Sequence, residues 1–189
     1  MPLSSPPPSL WDFALDCWER PGFETAALRL QDRDGLDVGM ILYCLWAAGQ
    51  SAAPHGATPL GLAQLGPAWA TARPWREDII EPIRRARRRL KSAVGPVNAD
   101  QVQDLVRLIS KAELSAERHL LAALERQHSS LAAEASGDEA AEQVAWRNVS
   151  DYVALAENRM DRPRPLPADS RADFAVLIGA VFTSPAGRK

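Results

Sequence analysis

Apolar residues recur along most of this chain at helical spacing, and strict two-residue alternation is not the governing pattern anywhere. A first helix is expected from Leu10 to about Arg20, with Ser9 as N-cap, Asp12 near its positive end and Pro21-Gly22 as its stop. On a 3.6-residue wheel Trp11, Ala14, Leu15 and Trp18 form one stripe and Leu10, Phe13 and Cys17 a second. Such a helix is expected to be buried on most sides. Phe23–Gln31 forms a second short helix, and Asp34-Gly35 turns the chain. Asp37–Ala48 is apolar all round and too long for an ordinary strand, so it predicts a central buried helix. A loop follows over 50–59, then a helical turn or two within Pro59–Leu65.

The second half carries longer elements. Pro74 or Trp75 begins a helix to about Ser92, with Ile79, Ile83, Ala86 and Leu90 as its apolar stripe and Pro82 as a bend or break. Gly95-Pro96 ends it. A long helix from about Ala99 to Ala133 presents Val102, Leu105, Ile109, Ala112, Ala116, Leu120 and Leu124. Ser136-Gly137 turns the chain, and Asp138–Asn158 returns with Val144, Val149, Tyr152 and Val153. Arg162–Pro167 reads as an extended linker. Asp169–Thr183, with Phe174, Leu177, Ile178, Val181 and Phe182, fits a docked helix, a short strand or a tethered segment.

These elements predict an all-α helical bundle. A buried N-terminal cluster built on Trp11, Trp18, Leu42 and Trp46 packs on a long antiparallel helical hairpin. Residues 1–9 form a proline-rich arm, 10–158 a single helical domain, and 159–189 a linker with a C-terminal apolar segment.

Composition narrows the function classes. The chain has 189 residues, 46% hydrophobic, with a formal net charge of -2, so no global field draws it to nucleic acid or anionic lipid. No apolar run approaches membrane-spanning length, and the N-terminus carries no basic residue before its first apolar run, so a cytoplasmic location without membrane contact is expected. The two cysteines, Cys17 and Cys44, sit in apolar stretches as small hydrophobes.

Charge is distributed unevenly. Residues 73–91 hold eight bases against three acids, between two acidic segments. Arg84, Arg88 and Lys91 fall on one face of the predicted helix, with Arg85 and Arg89 beside them, opposite the Ile79–Ile83–Leu90 stripe. This face is either a solvated surface or a binding surface for an acidic protein or for RNA. Glu113 falls inside the apolar stripe of the long helix, with Glu117 at its edge and Arg87 at the edge of the facing stripe. A carboxylate among core positions needs a cation, so Arg87 or Arg84 is expected to meet Glu113. The pair is either a structural ion pair or one wall of a polar pocket.

Other chemistries lack their parts. Glu125 and His128 make one Glu-x-x-His spacing, where a di-metal bundle needs two, and no Cys/His cluster has zinc spacing, so no metal or cofactor is expected. No nucleophile elbow or phosphate-cradling glycine loop is present. Three functions remain: a non-enzymatic interaction or adaptor protein using the basic helix and the C-terminal apolar segment, an RNA- or ribosome-associated factor using the same helix, and a small-ligand binder or enzyme near Glu113. A second copy of the chain is one of the partners this admits.

Several motifs carry a resemblance. They are Leu10-Trp11-Asp12-Phe13-Ala14, Ala27-Leu28-Arg29-Leu30-Gln31-Asp32, Leu42-Tyr43-Cys44-Leu45-Trp46, Pro74-Trp75-Arg76 and Lys111-Ala112-Glu113-Leu114-Ser115-Ala116-Glu117-Arg118. Over about Leu10 to Leu155 the chain resembles an uncharacterised family of small bacterial proteins, a domain of unknown function found mainly in proteobacteria. The resemblance implies a cytoplasmic bacterial protein and brings no catalytic residue with it.

Overall fold

The structure, a computed structural model, describes residues 8–49, 59–92, 99–131, 140–157 and 166–183. Residues 1–7 of the proline-rich arm, the Gly95-Pro96 stop, the Ser136-Gly137 turn and most of the 162–167 linker lie outside them. The described residues form an all-α bundle without strands. Its helices are α1 (Leu10–Trp18), α2 (Phe23–Asp34), α3 (Val38–Gly49), α4 (Leu62–Trp75), α5 (Glu81–Lys91), α6 (Ala99–Leu131), α7 (Ala141–Ala156) and α8 (Ala168–Phe182), with a π-helical turn at Arg76–Ile80. No helix among the described residues is long and apolar enough to cross a membrane.

Side-chain capping and glycine geometry set the first boundaries. The Ser9 hydroxyl accepts the Asp12 N–H at 3.1 Å and starts α1. Gly35, at φ +67°, ends α2 in the left-handed conformation that a Cβ disfavours. Asp37 then caps α3, its Oδ1 accepting the Met40 N–H at 2.8 Å.

α3 is the axis of the fold. Every residue from Met40 to Ala48 is buried, as its unbroken apolar run requires. α7 lies along it, joined through Asn148, which is fully buried. Asn148 accepts the Leu60 N–H at 2.7 Å and donates to the Cys44 carbonyl at 3.1 Å. One side chain thus satisfies backbone groups on two other segments, which burial would otherwise leave costly. Burial pushes the Cys17 thiol up to about 12 and the Cys44 thiol higher still, so both stay protonated and inert.

Three expectations need correction. The first helix is buried on one side only: Leu10, Phe13, Ala14 and Cys17 enter the core, whereas Trp11, Leu15 and Trp18 face outward. The expected hairpin of α6 with the following helix does not form: α7 lies antiparallel on α3, and α6 packs on α5 and α4. The C-terminal apolar segment, for which the sequence also admits a strand or a tether, is a docked helix whose Phe174, Leu177 and Ile178 lie in the core, with Val176 exposed. α8 is held on α2 by Arg33–Asp173 at 3.0 Å and by the Ser170 hydroxyl donating to Asp34 at 3.0 Å. At its far end Arg20, paired with Asp16, donates to the Ala180 and Val181 carbonyls.

The basic region differs most from its expected form. The helix starts at Leu62, includes Pro67 and Pro74, and passes through the π turn into α5. Pro82 explains the turn's position: its ring removes an N–H and crowds the carbonyl four residues back, and a wider turn there relieves both. The extra residue rotates α5 by about 100° relative to a continuous α-helix. Ile80 is therefore buried and Ile79 exposed, and Arg84 and Arg87 replace the expected Ile79–Ala86 line as the inward face.

His128 is packed in the core near the N-terminal end of the chain. Its ring meets Trp46 and Tyr43 edge-on at 4.9 and 5.8 Å, and its Nδ1 lies 3.4 Å from the Tyr43 hydroxyl. Burial holds its pKa below the ordinary value. A histidine depressed on folding contributes stability above its unfolded pKa, about 6.5, and this is lost as pH falls through that value. The midpoint of urea unfolding is expected to fall between pH 7 and 5, and His128→Phe is expected to flatten that part of the profile. An unchanged slope in the variant would remove His128 as its cause.

Candidate functional site

The face that α1 leaves outside the core forms one wall of a cleft. Leu28, Gln31 and Asp32 of α2, Asp37 and Leu42, Ile80, Arg84, Arg87 and Arg88 of α5, and Leu114 and Glu117 of α6 complete it. Its volume is about 390 Å³. The large hydrophobic residues Leu15 (46% exposed), Trp18 (37%), Leu28 (39%) and Leu114 (52%) all converge on it. Scattered exposed leucines need no explanation, but four large apolar side chains on three helices around one concavity form a patch.

The floor is an ion cluster. The side chains of Glu113 and Arg84 are only 10% and 15% exposed. Arg84 donates from Nε to Glu113 at 3.0 Å, from Nη1 to Gln31 at 2.8 Å and from Nη2 to Glu117 at 2.9 Å. Arg87 donates to both Glu113 oxygens, at 2.5 and 3.2 Å. Both candidate arginines thus meet Glu113, joining α2, α5 and α6 at one point.

These contacts divide the acids. Burial by itself raises the Glu113 carboxyl, but the hydrogen bonds from Arg87 and Arg84 outweigh it and hold the group below the ordinary range. Glu117 has only Arg84, and burial, aided by the neighbouring Glu113, lifts it above that range. Asp37 is likewise raised by burial, despite the Met40 N–H and an Arg76 guanidinium 3.8 Å away.

The predicted basic face is redistributed. Arg84 has left it for the floor, and Arg87 is half-buried at the edge of the cleft. Arg88 remains exposed and pairs with Glu81 at 2.5 Å. Arg85, Arg89 and Lys91 are exposed and have no ion-pair partner among the described residues. Glu125 and His128 serve the fold: Glu125 accepts the Leu10 N–H at 3.2 Å, and His128 lies in the core. Among the described residues no group of three or more His, Cys, Asp or Glu could hold a metal.

Leu28, Leu114, Gln31 and Asp37 were not among the expected site residues. Leu114 had a signal: it lies away from the predicted apolar stripe of α6, on a face where Leu121, seven residues on, is the other large apolar residue. Asp37 had a weaker one, an acid immediately before an apolar helix, which marks a cap rather than a cleft.

A family model described as Protein of unknown function (DUF2390) matches residues 9–124. Every residue lining the cleft falls within that span. No curated protein and no solved structure matches the chain.

Proposed function

We propose, for a chain that belongs to the DUF2390 family of proteins of unknown function, that its work is to bind another protein through the cleft between α1, α2, α5 and α6. The observation that carries this is the convergence of Leu15, Trp18, Leu28 and Leu114 on one concavity with the basic helix at its rim. The family resemblance adds a setting, the cytoplasm of a bacterial cell, and the role is that of a non-enzymatic adaptor. The volume of the cleft would suit a small ligand. The rim favours a larger occupant: half-exposed Leu114 and Leu15 would stay wet over a small molecule, and a protein segment covers them. The alternative of RNA binding draws less support, since Arg84 is committed to Glu113 and Glu117 in the floor and the exposed positive charge is confined to one short helix.

The test is affinity capture from cell lysate, with and without nuclease treatment, with the full chain, with Leu114→Asp, and with Arg85→Glu/Arg89→Glu/Lys91→Glu. A protein retained by the parent and lost from both variants, with their melting temperatures unchanged, is expected. Capture that ignores both sets of substitutions, or that disappears on nuclease treatment, would exclude the cleft as a protein-binding site.

A further inference from the structure

Resting on the reading that the cleft binds protein, we infer that its occupant is an amphipathic helix with an acidic edge. The apolar wall has the repeat of such a ligand. Trp11, Leu15 and Trp18 stand at i, i+4 and i+7 on α1, a ridge about 10 Å long by the rise of a helix. Leu28 and Leu114 flank it from α2 and α6, leaving a trough that takes the apolar stripe of one more helix.

Hydrogen-bonding capacity fixes the charge of the occupant. Both oxygens of Glu113 are already occupied by Arg84 and Arg87. Arg87 uses Nε and Nη2, and Arg88 uses one Nη2 contact to Glu81. The Arg87 Nη1 group and the Nε and Nη1 groups of Arg88 have no acceptor among the described residues. The unused capacity at this rim is therefore donor capacity, which a carboxylate fills. Arg85, Arg89 and Lys91 lie outside the cleft lining, exposed elsewhere on α5, and add positive charge around this rim without contacting the floor. Asp32, exposed on the α2 rim, sets the orientation: the acids of the bound helix lie toward α5, and a base fits toward α2.

The test uses the full chain and three fluorescein-labelled synthetic peptides of about 16 residues, some 24 Å of helix. The first has leucines on one helical stripe with glutamates along its flank. The second replaces those glutamates with lysines. The third scrambles the first so that the stripe is lost. Fluorescence anisotropy is expected to show the acidic peptide binding at least about tenfold more tightly than the other two, and more weakly as salt rises. Arg85→Glu/Arg89→Glu/Lys91→Glu should weaken the acidic peptide and strengthen the lysine peptide. Leu114→Asp should weaken both, with Leu114→Ser as the milder variant if the aspartate shifts the melting temperature.

Equal binding of acidic and lysine peptides, with both lost in Leu114→Asp, would overturn the acidic edge and leave protein binding standing. A 12-nucleotide RNA or decanoate binding where no peptide does would overturn both. Absence of peptide binding altogether overturns the inference as stated.

Discussion

Glu113→Leu is expected to destabilise the fold by about 3 kcal/mol, the lower end of the cost of stranding buried charge. The variant leaves Arg84 and Arg87 facing an apolar side chain, and only Arg84 keeps a second carboxylate, Glu117. Arg87 is a quarter exposed and reaches water in part, which moderates the loss. Thermal unfolding should show a melting temperature lower by about 6–12 °C for a chain of this length. Arg87→Ala should reproduce part of the loss, and Arg88→Ala almost none, because the Arg88–Glu81 pair is solvated. Equal melting temperatures for the two arginine variants would contradict a buried Arg87 pair. The Glu113 carboxyl is held low in the fold, so its contribution is fully present above the unfolded value, about 4.3, and is lost progressively below it as pH falls through the lower folded value. Replacing Glu113, Arg84 and Arg87 together by apolar residues should recover much of the stability, since such pairs cost desolvation as well as repaying it. The cluster then fixes how α2, α5 and α6 meet rather than how firmly they hold.

Asn148→Leu is expected to cost about 2 kcal/mol, because two buried backbone groups lose a hydrogen bond: one N–H is left without a partner, at about 1–3 kcal/mol, and one carbonyl keeps only the bond inside its helix. They are the Leu60 N–H, which precedes α4, and the Cys44 carbonyl within α3. Asn148→Asp separates the two. The carboxylate still accepts from Leu60 but cannot donate to Cys44, and it places a charge in a fully buried position. Burial raises such a carboxyl, so the aspartate variant should gain stability relative to the parent as pH falls from 7 to 5 and lose it as pH rises. Urea unfolding at both pH values measures this. A pH-independent deficit would place the cost in packing alone.

The sequence conveyed the helices well where one physical rule governed them. α3 was legible because nine consecutive buried positions leave no polar face to mislead. The start of α1 was legible because Ser9 and Asp12 carry its cap. The meeting of Arg84, Arg87 and Glu113 followed from the cost of a carboxylate at a core position. What stayed hidden depended on tertiary placement. Trp11, Leu15 and Trp18 have the spacing of a core stripe, and only the direction in which α1 docks makes them a cleft wall. The apolar residues of α8 fit a binding segment equally well until the charged contacts at its two ends show where it lies.

The basic face was misread because hydrophobic periodicity favours Ile79, Ile83, Ala86 and Leu90, whereas the residue inserted at the π-helical turn brings Ile80, Arg84 and Arg87 inward. That turn also bears on how the chain tolerates changes in its length. A π-helical turn holds one residue more than the hydrogen-bonded helix around it needs. Removing a residue from Arg76–Ile80, with Pro82 replaced by alanine to free the restored turn, would leave a regular helix carrying Arg84 and Arg87 to the same side. The same deletion three turns earlier or one turn later would swing them away from Glu113. Loss of a single codon, ordinarily ruinous inside a helix, is therefore tolerable here at one address once Pro82 is replaced, and relatives one residue shorter across this turn and without that proline would keep the same floor beneath the cleft.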